Sequence, residues 1–137
     1  MNWPSYALIG MSCFAGMQLT FRYLSGRGLS PAAILVCVFG FGWLLFMVHV
    51  VTARTPMPSS PAAIALLFLA GLLGYVGNFF AVRAVGLAPN AGYAVAIFGL
   101  QALVVTLVSV MVLGASLSWM KALGVILCCL GVALLVI

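Results

Sequence analysis

The sequence contains no aspartate and no glutamate in 137 residues. That absence removes the usual general acid of a catalytic pair. It also removes the intramembrane carboxylate that normally carries the proton in a proton-coupled pump. The only carboxylate left is the C-terminal one at Ile137. Charge of any sign is scarce. Arg22, Arg27, Arg54, Arg83 and Lys121 give a formal +5 and make up 4% of the chain. A soluble domain carries roughly a quarter charged residues. The cations stand singly near the ends of apolar runs and form no basic patch, so they read as snorkelling anchors and not as a nucleic-acid surface. Cysteine is sparse and unpatterned. Cys13, Cys37, Cys128 and Cys129 form no CxxC motif or Cys/His cluster, and behave as small apolar packing residues. One histidine, His49, is present. The GxSxG, P-loop and HExxH patterns are missing, so no enzyme activity, metal site or cofactor is expected.

What remains is 67% hydrophobic. This composition belongs to the membrane class. The sequence predicts an all-α integral membrane protein, one transmembrane domain over 1–137, with the lipid bilayer as its first partner. Five apolar runs cover about 3–24, 32–51, 62–85, 91–113 and 119–137. Each is about 20 residues, the length that crosses a hydrocarbon core. The runs are too long and too uniformly apolar for barrel strands. Pro4, Ser30-Pro31 and Ser60-Pro61 supply helix starts. The Met1-Asn2-Trp3-Pro4 start has no basic segment, so no signal peptide is expected. Trp3, Tyr23, Tyr75, Tyr93 and Trp119 include candidate interfacial aromatics.

The cations give little orientation. An inside N-terminus places Arg54 and Lys121 in the cytoplasm, and an outside one places Arg22, Arg27 and Arg83 there. Two against three is a weak bias, compatible with insertion both ways and with an antiparallel pair.

Polar side chains within the runs are costly and point to a cavity, a partner helix or an interface. Met11, Gln18 and Arg22 share one face of the first run. Tyr75 and Asn78 share a face of the third, with Arg83 near its end. Asn90, Ala94, Gln101 and Ser109 make a stripe on the fourth, edged by Tyr93. Gln18, Arg22, Tyr75, Asn78, Arg83, Tyr93 and Gln101 are therefore the candidate solute-binding residues. For Gln18, Asn78 and Gln101 the competing reading is helix–helix hydrogen bonding. For the arginines it is anchoring, and for His49 an interfacial place competes with a pH switch. Gly124, Cys128 and Gly131 lie on one face of the last run and form a candidate packing seam, within the chain or in a dimer.

Two stretches carry a family likeness. Ala81-Val82-Arg83-Ala84-Val85-Gly86-Leu87-Ala88-Pro89-Asn90-Ala91-Gly92-Tyr93 resembles the small-x-x-Ala-Leu-x-x-x-Pro/Ser junction of the drug/metabolite transporter superfamily. Val112-Leu113-Gly114-Ala115-Ser116-Leu117-Ser118-Trp119-Met120-Lys121-Ala122-Leu123-Gly124 resembles its Leu-Gly-Glu-x-Leu-Ser turn, and Leu123 to Leu135 its closing helix. The likeness is closest over Leu69 to Ile137. Ala115 stands where the family commonly has Glu. Phe14, Ala15 and Gln18 occupy the region where small multidrug exporters place their coupling Glu, so that chemistry does not carry over.

The resemblance implies a single EamA-like repeat of five helices, distantly similar to the small multidrug resistance transporters. Many superfamily members carry two such repeats, so a lone one implies pairing as an antiparallel homodimer or with a related five-helix partner. The implied function is alternating-access transport of a small metabolite, neutral, zwitterionic or anionic, such as an amino acid. A heteromeric subunit, a lipid-linked-substrate flippase and a scaffold are the alternatives. The expected location is a prokaryotic cytoplasmic membrane.

Overall fold

A computed structural model describes residues 2–136; the terminal carboxylate of Ile137 lies outside the described residues. The described chain is all helical. Its elements are α1 (Trp3–Gly26), α2 (Pro31–Ala53), α3 (Pro61–Leu87), α4 (Ala91–Gly99), α5 (Gln101–Leu113) and α6 (Trp119–Val136).

The helix starts are built by local polar side chains. Asn2 caps α1, accepting from the Ser5 hydroxyl at 2.7 Å, and Pro4 sits in the first turn where its missing N–H costs nothing. The Ser30 hydroxyl accepts from the Ala33 N–H at 3.3 Å ahead of Pro31. The Asn90 side chain accepts from the Gly92 N–H at 2.9 Å and starts α4.

The ends are equally specific. After α1, Gly28 adopts φ +83°, its N–H donates to the Ser25 carbonyl at 3.0 Å, and the Leu29 N–H reaches Leu24 at 3.3 Å. This is a Schellman ending, and the left-handed residue it requires is why glycine stands there. Gly114, φ +64°, ends α5, and the Ala115 N–H returns to the Ser109 carbonyl at 3.1 Å.

Among the described residues, three helical stretches are long and apolar enough to cross a membrane: Pro31–Ala53, Pro61–Leu87 and Ala91–Val112. Trp119–Leu135 is a shorter apolar helix. α1 has 24 residues but is the least apolar helix, since Ser5, Ser12, Gln18, Thr20 and Arg22 interrupt it. Ser12 and Thr20 turn their hydroxyls back on the carbonyls four residues earlier, at 2.9 and 3.0 Å. That internal bond lets a hydroxyl sit in a helix without an outside partner.

The fourth apolar run, read from sequence as one uninterrupted helix, carries a tight turn at Leu100. The Leu100 N–H bonds Ile97 and the Leu103 N–H bonds Leu100, both at 3.0 Å and both three residues back. Gly99 provides the weak point, and a 3₁₀-like turn within a helix is a common hinge.

The chain divides into two compact units, residues 1–86 and 87–137. In the first, α1 packs on α2, and the last turns of α1 and α3 meet. In the second, α6 packs on α4 and α5.

Candidate functional site

Within the first unit, burial is confined to one end. Phe21 near the end of α1, Ile34 and Leu35 near the start of α2, and Val82 and Val85 near the end of α3 are its buried side chains. Tight turns make these helix ends coincide. The Gly28 turn brings α2 back beside the end of α1, and two loops return α3 in the direction of α1.

Arg22 ties that end together. Its Nη1 donates to the Val85 carbonyl at 3.1 Å and to the Gly86 carbonyl at 2.6 Å. Those carbonyls lie in the last turn of α3, which has no intrahelical donors and carries the negative end of the helix dipole. A guanidinium there satisfies both needs. One turn further, a Cβ on Gly86 would lie 3.1 Å from the Ser25 Cβ and 3.2 Å from its Oγ, so a side chain here requires Ser25 to give way by a few tenths of an ångström. Tyr23 and Arg27 occupy the same end, the guanidinium 4.8 Å above the ring centroid and hydrogen-bonded to the phenol oxygen.

The polar residues lie one turn inward from this closed end. Gln18 precedes Phe21 and Arg22 on one face of α1; Asn78 precedes Val82 and Val85 on one face of α3. Gln18 is half-buried. Its Oε1 is fully covered and accepts no hydrogen bond. Asn78 is half-buried too, and its Nδ2 donates to the Gly74 carbonyl of its own helix at 2.8 Å. That bond orients the amide and leaves its oxygen without a donor among the described residues. Tyr75 is exposed and leads into an aromatic run, 6.3 Å from Phe79, which meets Phe80 edge-on at 5.8 Å.

The remaining candidates separate. Arg83 is exposed and makes no hydrogen bond among the described residues. Tyr93 and Gln101 belong to the second unit and are exposed; Gln101 is the first residue after the turn at Leu100. Gly124, Cys128 and Gly131 line a groove between α6 and the α4–α5 pair. His49 is exposed near the end of α2. Among the described residues no cluster of His, Cys, Asp or Glu could hold a metal ion.

Sequence reading missed two features of this site. One is the Arg22 cap on α3, which depends on a contact 63 residues away in the chain. The other is the turn at Leu100, for which Gly99 followed by the polar Gln101 is the available signal.

The profile of the EamA-like transporter family matches residues 1–137. No curated protein and no solved structure matches the chain. The family match runs the whole length of the chain. The chain belongs to the EamA-like transporter family.

Proposed function

We propose that this membrane transporter of the drug/metabolite type moves a small neutral, zwitterionic or anionic metabolite by alternating access. Its site forms where two oppositely oriented copies, or this chain and a related unit, face each other. The proposed solute contacts are Gln18, Asn78 and Tyr75 in the first unit and, taken separately, Tyr93 and Gln101 in the second. Arg22 and Arg83 stand toward its ends.

The observation that supports this reading best is the covered Gln18 Oε1 without a donor. An unmade hydrogen bond on a buried acceptor costs about 1–3 kcal/mol, so a movement of the end of α1 that uncovers this oxygen to a solute donor recovers that cost on binding. The free Asn78 oxygen offers a second acceptor. An amino or amide N–H of the solute suits both, and nearby arginines suit a carboxylate. With no Asp or Glu in the chain, an isolated cation finds no acidic side chain as counter-charge and proton antiport finds no side-chain carboxylate carrier. Pairing of inverted units builds such sites near the membrane midplane in other transporters, and the near-even distribution of cations permits both orientations.

The test is counterflow in proteoliposomes preloaded with amino-acid mixtures. Expected is solute exchange that needs no pH gradient and falls at least ten-fold in Gln18→Leu. Tight proton-coupled export of a quaternary ammonium ion would overturn the reading. A single cysteine in the 52–60 loop, labelled from both sides of the membrane, would indicate dual insertion. Labelling from one side would indicate an oppositely oriented partner instead.

A further inference from the structure

Holding α3 uses only part of Arg22. Its Nη1 atom gives both bonds to the α3 carbonyls, at 3.1 and 2.6 Å. A guanidinium carries further N–H donors on Nε and Nη2, side by side along another edge. Among the described residues those two atoms give no hydrogen bond, and neither is covered. The edge they form matches the spacing of two carboxylate or phosphate oxygens.

This edge is held in place. The two α3 carbonyls fix the guanidinium, so little side-chain freedom remains to be lost when an anion binds. Its charge is also unneutralised. Phe21, Ile34, Leu35, Val82 and Val85 fill the closed end, and Arg22 is half-buried beside them. Its partners among the described residues are neutral carbonyls, and the sequence has no Asp or Glu to offer. A cation beside apolar side chains attracts an anion more strongly than one in open water.

The other arginines of this unit lack these conditions. Arg27 is stacked on Tyr23 and bonded to its phenol oxygen. Arg54 and Arg83 are exposed, and their side chains give no hydrogen bond among the described residues. Each of them is free to swing, and an anion would have to order it first.

We propose that the Nε–Nη2 edge of Arg22 is a receptor for an oxyanion, held by two parallel N–H···O bonds at the closed end of the first unit. The oxyanion is a carboxylate of the solute or the phosphate of a lipid headgroup. The first source rests on the transport reading and narrows it: the solute carries a carboxylate, and Arg22 binds it while still holding α3. The second source is independent of that reading.

The test uses the full chain with isotope-labelled arginine in a micelle of neutral maltoside, which contains no oxyanion. The Nε–H resonance of each arginine, assigned through its own side-chain carbons, is followed by NMR as acetate is added. Acetamide is the uncharged control. Expected is a saturable shift at Arg22 with acetate and none with acetamide. Half-saturation should fall at an acetate concentration about five-fold lower than at Arg83, the factor gained when the side chain is already ordered. No saturation at Arg22, or an equal response of Arg22, Arg54 and Arg83, would overturn the proposal. The chain's own carboxylate at Ile137 is tested by a short C-terminal extension that moves it. If acetate reaches Arg22 only in the extended chain, the terminus occupies the edge and the proposal fails. Short-chain phosphatidylglycerol separates the two sources. Displacement of acetate from Arg22 by the lipid supports a headgroup phosphate, and retention of acetate supports a solute carboxylate. This readout needs no transport, so saturable acetate binding at Arg22 without any solute exchange would leave the receptor standing and count against the transport reading alone.

Discussion

Replacing Arg22 tests whether the first unit is held shut at one end. In the structure its guanidinium gives two hydrogen bonds to the terminal carbonyls of α3, at 3.1 and 2.6 Å. Charge-assisted bonds contribute about 1.5–3 kcal/mol net in water-soluble proteins. The dipole at the end of α3 adds about 0.3–1 kcal/mol. Polar contacts between membrane helices measure lower, about 0.6 kcal/mol on average and about 1.7 at most. A total of about 2 kcal/mol reconciles these figures, and it corresponds to about a 30-fold change in the equilibrium between closed and open ends.

The reporter is Ser25→Cys in a background without Cys13, Cys37, Cys128 and Cys129, because the Ser25 Oγ is covered in the closed end. The rate of modification by a membrane-impermeant thiol reagent then reads the open fraction. Arg22→Gln is expected to raise the rate about 30-fold. Arg22→Lys should give a smaller rise, since one ammonium keeps the charge but loses the planar fork. The reasoning is refuted if Arg22→Gln inserts and folds normally yet labels at the parent rate. It is equally refuted if Lys and Gln variants are indistinguishable from each other while both remain at that rate.

Gly86→Ala should open the same end by about 1–3 kcal/mol through overpacking against Ser25, and Ser25→Gly should restore it; labelling of a cysteine at position 21 reports both. Gln18→Leu should abolish solute exchange while raising thermal stability by about 1 kcal/mol, because it removes a covered acceptor that has no donor. A stability loss in that variant would show that the amide acts as helix–helix glue. Ser30→Ala should cost about 1 kcal/mol through loss of the α2 cap, measured by denaturation in mild detergent. Gly28→Ala should cost a similar amount, because its φ of +83° is strained for any side chain.

The helices were legible because lipid imposes a simple rule: long apolar stretches with satisfied backbones. The start at Ser30-Pro31 was marked in the sequence; the Asn90 cap and the left-handed glycines Gly28 and Gly114, which were not singled out there, each do locally what their residue type suggests. The deep amides were legible as anomalies, and Gln18 proved to be one whose oxygen has no partner. The role of Arg22 was not legible. A cation near a run's end has the same sequence signature whether it snorkels to water or caps another helix, and only the packing of α1 with α3 distinguishes them. The same limit applies to Gly124 and Gly131. Their spacing announces a smooth face but not the space in front of it, which depends on how α4 and α5 lie against α6.

The asymmetry of the first unit bears on how an acid-free transporter alternates. Its covered side chains gather at the ends of α1 and α3, while most large apolar side chains elsewhere on these helices are exposed, Phe14, Phe68 and Tyr75 among them. One end is therefore tight and the rest is free to meet other surfaces. In the proposed antiparallel pair, the tight ends of the two copies face opposite sides of the membrane. Each side is then closed by one Arg22, and passage to either side requires release of one latch while the other holds. A latch worth about 2 kcal/mol is in the range where a ligand's differential affinity can reverse the balance. A ligand that binds Gln18, one turn from Arg22, is well placed to exert it. Coupling would then come from the solute itself. An excess of solute on the far side should accelerate release on the near side, and a pH step across the membrane should leave the exchange rate unchanged. Exchange that failed to respond to solute in trans, yet rose with a pH step, would require a proton carrier other than an Asp or Glu side chain, with His49 the first to replace.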